Sequence, residues 1–246
     1  MRKYIIIADA HLGSGVEEDS AYLLVRKVIK TGKFDGLINI GDHLDFGYIS
    51  RYVDGQPGLV EGKRLKDDFE LLRSEIKFHK KYCKEVIYLC GNHENRVEKY
   101  LLGDPRLEGI FSVKDICEEE GAIYVPVEKQ PYRFLPDLYV THGLSFNKYF
   151  AAQIAERAGT NIIQGHAHRT QMFSYQYPTG ERATGYGLGT LGPINPSYSA
   201  GQRLTGHTQS FGVLYVDGNT WQLDIIYITN NSCMIAGKKY SLINEE

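Results

Sequence analysis

Asp9 and His11 follow the first apolar run of the chain, Asp42 follows the second, and Asn92 and His93 follow the third. Further on, His142 follows an apolar run ending at Thr141, and His166 and His168 follow one ending at Gln164. Carboxylate, imidazole and amide are all ligands for divalent cations. A carboxylate can bridge two cations, while neutral imidazoles and an amide oxygen limit the negative charge. No thiolate takes part, and such a mixed nitrogen and oxygen set suits manganese, iron, zinc or nickel. Taken singly, each pair also fits turn residues or hydrogen-bonded histidines, because short motifs of this kind recur by chance. Their order, each just past an apolar run, argues for a shared site.

The elements that must position these residues follow from hydrophobic periodicity. The pattern predicts a strand over 3–8, a helix over 20–31, a strand over 36–40, a helix over 60–82 and a strand over 86–90. This is the βαβ rhythm of an α/β fold. In the long second helix Leu65, Phe69, Leu72 and Ile76 form a stripe at helical spacing, which predicts packing on a sheet with the helix charges solvated. Short helices are expected at 95–102 and 112–120, strands at 122–127 and 132–141, and a helix at 147–158 stopped by Gly159. Beyond Thr160 the chain reads as strands: 160–164, 171–177, 183–191, 211–217 and 220–229. The carboxyl ends of strands form the ligand crevice of an open α/β sheet, so residues remote in sequence converge there. Two irregular stretches, 46–60 and 192–210, are rich in Gly, Pro, Tyr and Ser and are expected to be substrate loops.

The order Asp9-Ala10-His11, Gly41-Asp42-His43-Leu44-Asp45, Gly91-Asn92-His93-Glu94, Thr141-His142-Gly143 and Gly165-His166-Ala167-His168 resembles the calcineurin-like metallophosphoesterase superfamily. The resemblance implies a four-layer α/β/β/α sandwich of two mixed sheets flanked by helices, here expected as a single domain over 1–246. It implies two divalent metals, manganese favoured. One would be held by Asp9, His11, Asp42 and His168, the other by Asp42, Asn92, His142 and His166, with Asp42 as the bridge. Two such cations hold a water between them, bring its pKa toward about 7 and clamp the phosphoryl oxygens. By the same resemblance His93 is the general acid for the leaving alkoxide, and Asp45 orients it and favours its charged form. Asn92 and Arg96, one helical turn apart, are the expected contacts to substrate phosphate.

Within the superfamily, protein phosphatases and dinucleoside-tetraphosphate hydrolases carry arginine where this chain has Phe46 and Cys90, which disfavours that branch. The segments from Asp9 to Gly13 and from Gly41 to Phe46 are similar to the DNA-repair nucleases. Against a nuclease stand Glu94, where those enzymes usually have Asp, no evident separate DNA-binding domain, and near-neutral charge. The expected substrate is therefore a small phosphate ester, of phosphodiester or nucleotide type, with nucleic acid second. A non-catalytic scaffold, like the retromer subunit of this fold, ranks third because a scaffold has no physical need of His93 beside a complete ligand set.

Composition bounds the rest. A formal net charge of -2 over 246 residues leaves no global basic footprint for long nucleic-acid tracts, although a local basic strip is compatible with it. The apolar run over 4–8 is too short for a signal peptide or a membrane span, so a cytoplasmic protein without membrane contact is expected. Cys83, Cys90, Cys117 and Cys233 lack CxxC spacing and read as reduced core thiols. His43 is expected near the metals, His79 and His207 as ordinary helix and loop histidines, and Asn195, Tyr198 and Arg203 as loop residues facing substrate. The sequence sets no oligomeric state.

Overall fold

The computed structural model describes residues 1–13, 18–107, 109, 111–195 and 206–242. Strands β1 (Arg2–Ile7), β2 (Gly36–Asn39), β3 (Glu85–Leu89) and β4 (Ile123–Val125) lie parallel and adjacent. β10 (Ser210–Asp217) and β11 (Thr220–Tyr227) extend the sheet antiparallel beyond β1, giving the order β11-β10-β1-β2-β3-β4. A second sheet runs β5 (Tyr132–Leu135), β6 (Leu138–Thr141), β7 (Asn161–Gln164), β9 (Arg182–Gly187) and β8 (Gln171–Gln176). Its β6, β7 and β9 are parallel, and its two edge strands are antiparallel.

Side chains that alternate along β1 enter two different cores, which explains why the run has no polar face. Tyr4, Ile6 and Ala8 pack with Ile38, Ile87, Leu138, Val140 and Ile163 between the two sheets. Ile5 and Ile7 face the other way, onto helices α1 (Ser20–Thr31), α3 (Leu65–Tyr82) and α5 (Val113–Glu119). On the outside of the second sheet, Phe150 and Ile154 of α6 (Phe150–Ala158) cover Ile162. The layers are thus helix, sheet, sheet, helix, as expected.

Several elements depart from the expected bounds. The stretch read as one helix over 60–82 is a four-residue helix α2 (Pro57–Val60), a break at Gly62, and α3. Helix α4 (Asn92–Gly103) starts three residues earlier than expected, because Gly91 caps it and the Glu94 carboxylate accepts the Gly91 N–H. The strand expected over 132–141 is a hairpin that turns at Pro136 and Asp137. A final hairpin, β12 (Ser232–Ile235) with β13 (Lys238–Ser241), lacked a strong strand signal, and it packs Cys233, Ile235 and Tyr240 against the α1 side of the core. On α3 the charges are not all solvated: Asp68, Glu75 and His79 are buried. All four cysteines are buried and free. Among the described residues, no helix is long and apolar enough to cross a membrane.

Candidate metal centre

The seven expected ligands all lie just past strand carboxyl ends and come from both sheets. Asp9 and His11 follow β1, Asp42 follows β2, and Asn92 opens α4 after β3, while His142 follows β6 and His166 and His168 follow β7. Five of them hold positive backbone φ: Asp9 (53°), His11 (49°), Asp42 (50°), His166 (62°) and His168 (53°). Such conformations cost on the order of 1–3 kcal/mol each and persist only where the surroundings over-determine them. Here the loops are locked together. Asp9 N–H donates to Gly41 O at 3.1 Å and His11 N–H to Asp42 O at 3.0 Å. His166 N–H donates to the Asp9 carboxylate at 2.9 Å, and the Asp9 carbonyl accepts from Thr190 Oγ1 at 2.7 Å.

Ligand atoms converge in two groups, Asp9 with His11 and His168, and Asp42 with His142 and His166, each set lying within 4.8 Å of one another. His11 Nε2 and His168 Nε2 are 3.1 Å apart, and His168 Nε2 is 3.4 Å from Asp9 Oδ1. In the second group His142 Nε2 lies 3.3 Å from Asp42 Oδ2 and 2.9 Å from Asn92 Oδ1. Its other ring nitrogen, Nδ1, is 2.9 Å from the Ile40 carbonyl. That carbonyl can only accept, so Nδ1 carries a proton, and Nε2, facing the two oxygens, is the ring atom that would bind a cation. Asp9 and Asp42 are 0% and 1% exposed, yet among the described residues their ion partners are imidazoles alone. Lone pairs and buried carboxylates aimed at common points fit divalent cations.

Without a cation the groups share charge among themselves. Burial raises the Asp42 carboxyl, but His142, His93 and His11 hold it well below the usual carboxylate range. Burial likewise pushes the His142 imidazole down, and Asp42, with Asp9, outweighs it and lifts the ring to about 9.

His93 sits beside this centre. Its Nε2 is 3.7 Å from Asp42 Oδ2, its backbone N–H donates to Asp42 Oδ1 at 2.8 Å, and its Nδ1 hydrogen-bonds the Asp45 carbonyl. The Asp45 carboxylate stands 3.5 Å from His93 Nδ1 and 3.6 Å from His11 Nδ1, so it orients two rings. Its charging effect is weaker than expected: burial lowers the His93 pKa, and His11 and Arg96 add to this against Asp42 and Asp45. Arg96 Nη1 lies 3.2 Å from His93 Nδ1, at the edge of the centre.

Other placements were not legible. Glu94 is fully buried and accepts the N–H groups of Gly91, Asp42, His43 and Leu44 and the Tyr88 hydroxyl. Its place three residues past Gly91 was the one available signal, that of a capping box. Gln130 accepts the His142 N–H at 2.8 Å. Gly91 has no alternative, since a Cβ there would stand 2.2 Å from Asp42 Oδ1. His207 is no ordinary loop histidine, because its ring packs edge-on to His168 at 4.9 Å between centroids. His43 points away from the metal groups, toward Glu75, 3.6 Å from its Nε2. With His79 and Tyr22 they form a buried polar cluster, so His79 is not incidental either. Asn195 is exposed, and Tyr198 and Arg203 lie outside the described residues.

The family model for calcineurin-like phosphoesterases matches residues 2–191, more than half of the chain and all seven ligand positions. The chain belongs to the calcineurin-like phosphoesterase family. That family uses a dinuclear divalent metal centre and cleaves phosphoester bonds. No curated protein matches the chain. Among solved structures, it is similar to Vacuolar Protein Sorting 29 from Cryptosporidium parvum, 15% identical over 98% of each chain with a TM-score of 0.46. A dimetal phosphatase from Danio rerio is 10% identical over 91% of this chain and 95% of that one, with a TM-score of 0.44. Vps29 from Entamoeba histolytica in complex with Zn²⁺ is 10% identical over 96% of this chain and 95% of that one, with a TM-score of 0.40.

Proposed function

We propose that this member of the calcineurin-like phosphoesterase family hydrolyses a small phosphodiester or nucleotide-type ester with two divalent cations, manganese favoured. Asp9, His11, Asp42 and His168 would hold one cation, and Asp42, Asn92, His142 and His166 would hold the other. The observation that carries the reading is the convergence of these seven side chains from both sheets with His93 beside Asp42, at 3.7 Å. Bound there, such cations would supply Lewis acidity and would lower the pKa of a water toward about 7. His93 delivers the proton to the leaving oxygen from Nε2, with Nδ1 anchored on Asp45. Arg96, beside His93, adds positive charge where the phosphate lies, and the Asn92 amide contacts it. A scaffold of this fold needs none of the proton-delivery group.

A manganese-supplemented screen of bis-p-nitrophenyl phosphate, p-nitrophenyl phosphate, cyclic nucleotides, and single- and double-stranded DNA tests this reading. Turnover of small diesters or nucleotides is expected. Degradation of DNA ends with no action on small diesters assigns the protein to the nucleases instead, and no turnover of any ester assigns it to the scaffolds.

A further inference from the structure

Residues 143–149 run past the metal centre and turn apolar side chains outward: Leu144 is 50% exposed, Phe146 72% and Tyr149 68%. A local apolar patch beside a polar centre marks a binding surface. The backbone beneath it is tied down. Gln164 accepts the N–H groups of Leu144 at 2.8 Å and Ser145 at 3.2 Å and donates to the Ser145 carbonyl. Arg169 Nη2 donates to the carbonyls of Phe146 at 2.6 Å and Asn147 at 3.0 Å. A surface held in place this way loses little conformational freedom when a ligand lands.

Between this loop and the start of α4 lies a cavity of about 220 Å³, lined by Asn92, His142 and His166 of the metal centre and by Asn95, Gln130 and Leu144. At about 30 Å³ per water it has room for one small ring system. Asn95 is three residues past Asn92, on the same face of α4. Gln130 spends its carboxamide on the Cys90 carbonyl and the His142 N–H, whereas the Asn95 carboxamide has no hydrogen-bond partner among the described residues. Phe146 adjoins the cavity through its lining residue His166, to which its ring is edge-on with centroids 6.0 Å apart.

Resting on the reading of the site as a phosphoesterase, we infer that this cavity takes the nucleobase of a nucleotide whose phosphate sits at the metal centre. Asn95 reads the edge of the base, and Leu144 and Phe146 supply apolar and aromatic faces. A base is flat, stacks on an aromatic ring and presents adjacent donors and acceptors, which a carboxamide matches with its own pair. An alkyl substituent in the same place leaves the Asn95 amide unpaired.

Calorimetric titration of the manganese-loaded protein with hydrolysis-resistant phosphonate analogues of AMP and of ribose 5-phosphate separates the base from the phosphate. The AMP analogue is expected to bind tighter, on the order of tenfold or more. Phe146→Ala and Asn95→Ala each bring the two ligands closer together, and Phe146→Tyr retains the difference. Equal affinities in the unsubstituted protein, or a preference that survives Phe146→Ala and Asn95→Ala combined, overturn the inference. Ester hydrolysis is scored separately. A protein that prefers the AMP analogue through these residues yet cleaves no ester refutes the phosphoesterase reading and supports the pocket, and hydrolysis without the preference does the reverse.

Discussion

The buried Glu94 carboxylate accepts the Asp42 backbone N–H at 3.0 Å, and through His43 at 2.9 Å and Leu44 at 3.2 Å it holds the whole turn that presents Asp42. Asp42 in turn accepts the His93 N–H, so the loop after β2 and the first turn of α4 fix each other. Asp42, the proposed bridging ligand, is thus positioned by a residue that is not itself among the proposed metal ligands.

Glu94→Gln places an amide N–H₂ among N–H donors and leaves some of them unpaired, at a cost of about 1–3 kcal/mol. The thermal midpoint should fall by several degrees. Metal content, measured on the same sample below its unfolding range, should fall as well. A variant with unchanged melting and full metal would show that these hydrogen bonds position nothing.

Asp42→Asn tests the shared ligand directly. It removes the charge proposed to bridge the two cations and is expected to abolish bound manganese and ester hydrolysis together, read by elemental analysis and a p-nitrophenyl assay. Retention of both cations would remove Asp42 from the proposed bridge.

His93→Asn separates proton delivery from metal binding. Turnover of an ester with a poor leaving group should drop by about 10²–10⁴ while metal content stays at the unsubstituted level. Unchanged turnover refutes the assigned role.

Acid stability follows from the cluster beneath the centre. Burial, with the charge of His43, holds the His79 imidazole down to about 3 from 6.5, so the folded protein keeps it neutral. Below pH 6.5 the unfolded chain binds a proton there that the folded one does not, so this contribution is full above 6.5 and is lost as pH falls toward 3. Glu75 adds a second, lower window. Burial raises it, but His43, His79 and Tyr22 bring it to about 2 from 4.5, so its share is lost between those values. Urea unfolding at pH 7, 6, 5 and 4 should show falling stability, and His79→Gln should flatten the slope between pH 6.5 and 4.5. An unaltered slope would place the acid sensitivity elsewhere.

The candidate metal ligands were legible because each follows an apolar run, and a run flanked by turn residues is a local property of the chain. Composition and periodicity likewise determined the helix and strand rhythm that sets the layers, since an apolar face must be covered. Which of these residues meet is decided by the packing of the two sheets, which brings His11 to His168 and His142 to Asp42, the pairings that the family resemblance implied. The tertiary structure also decided the fate of polar groups bordering apolar stripes. Glu75 and His79 lie beside Leu72 and Ile76 on α3, and only the arrival of Tyr22 and His43 from other elements buries them. Glu94 finds its donors in the 41–44 turn, and His207 finds His168, through contacts that no local pattern encodes. A polar side chain is buried when its partners are supplied by distant segments, and their position is a property of the packed layers.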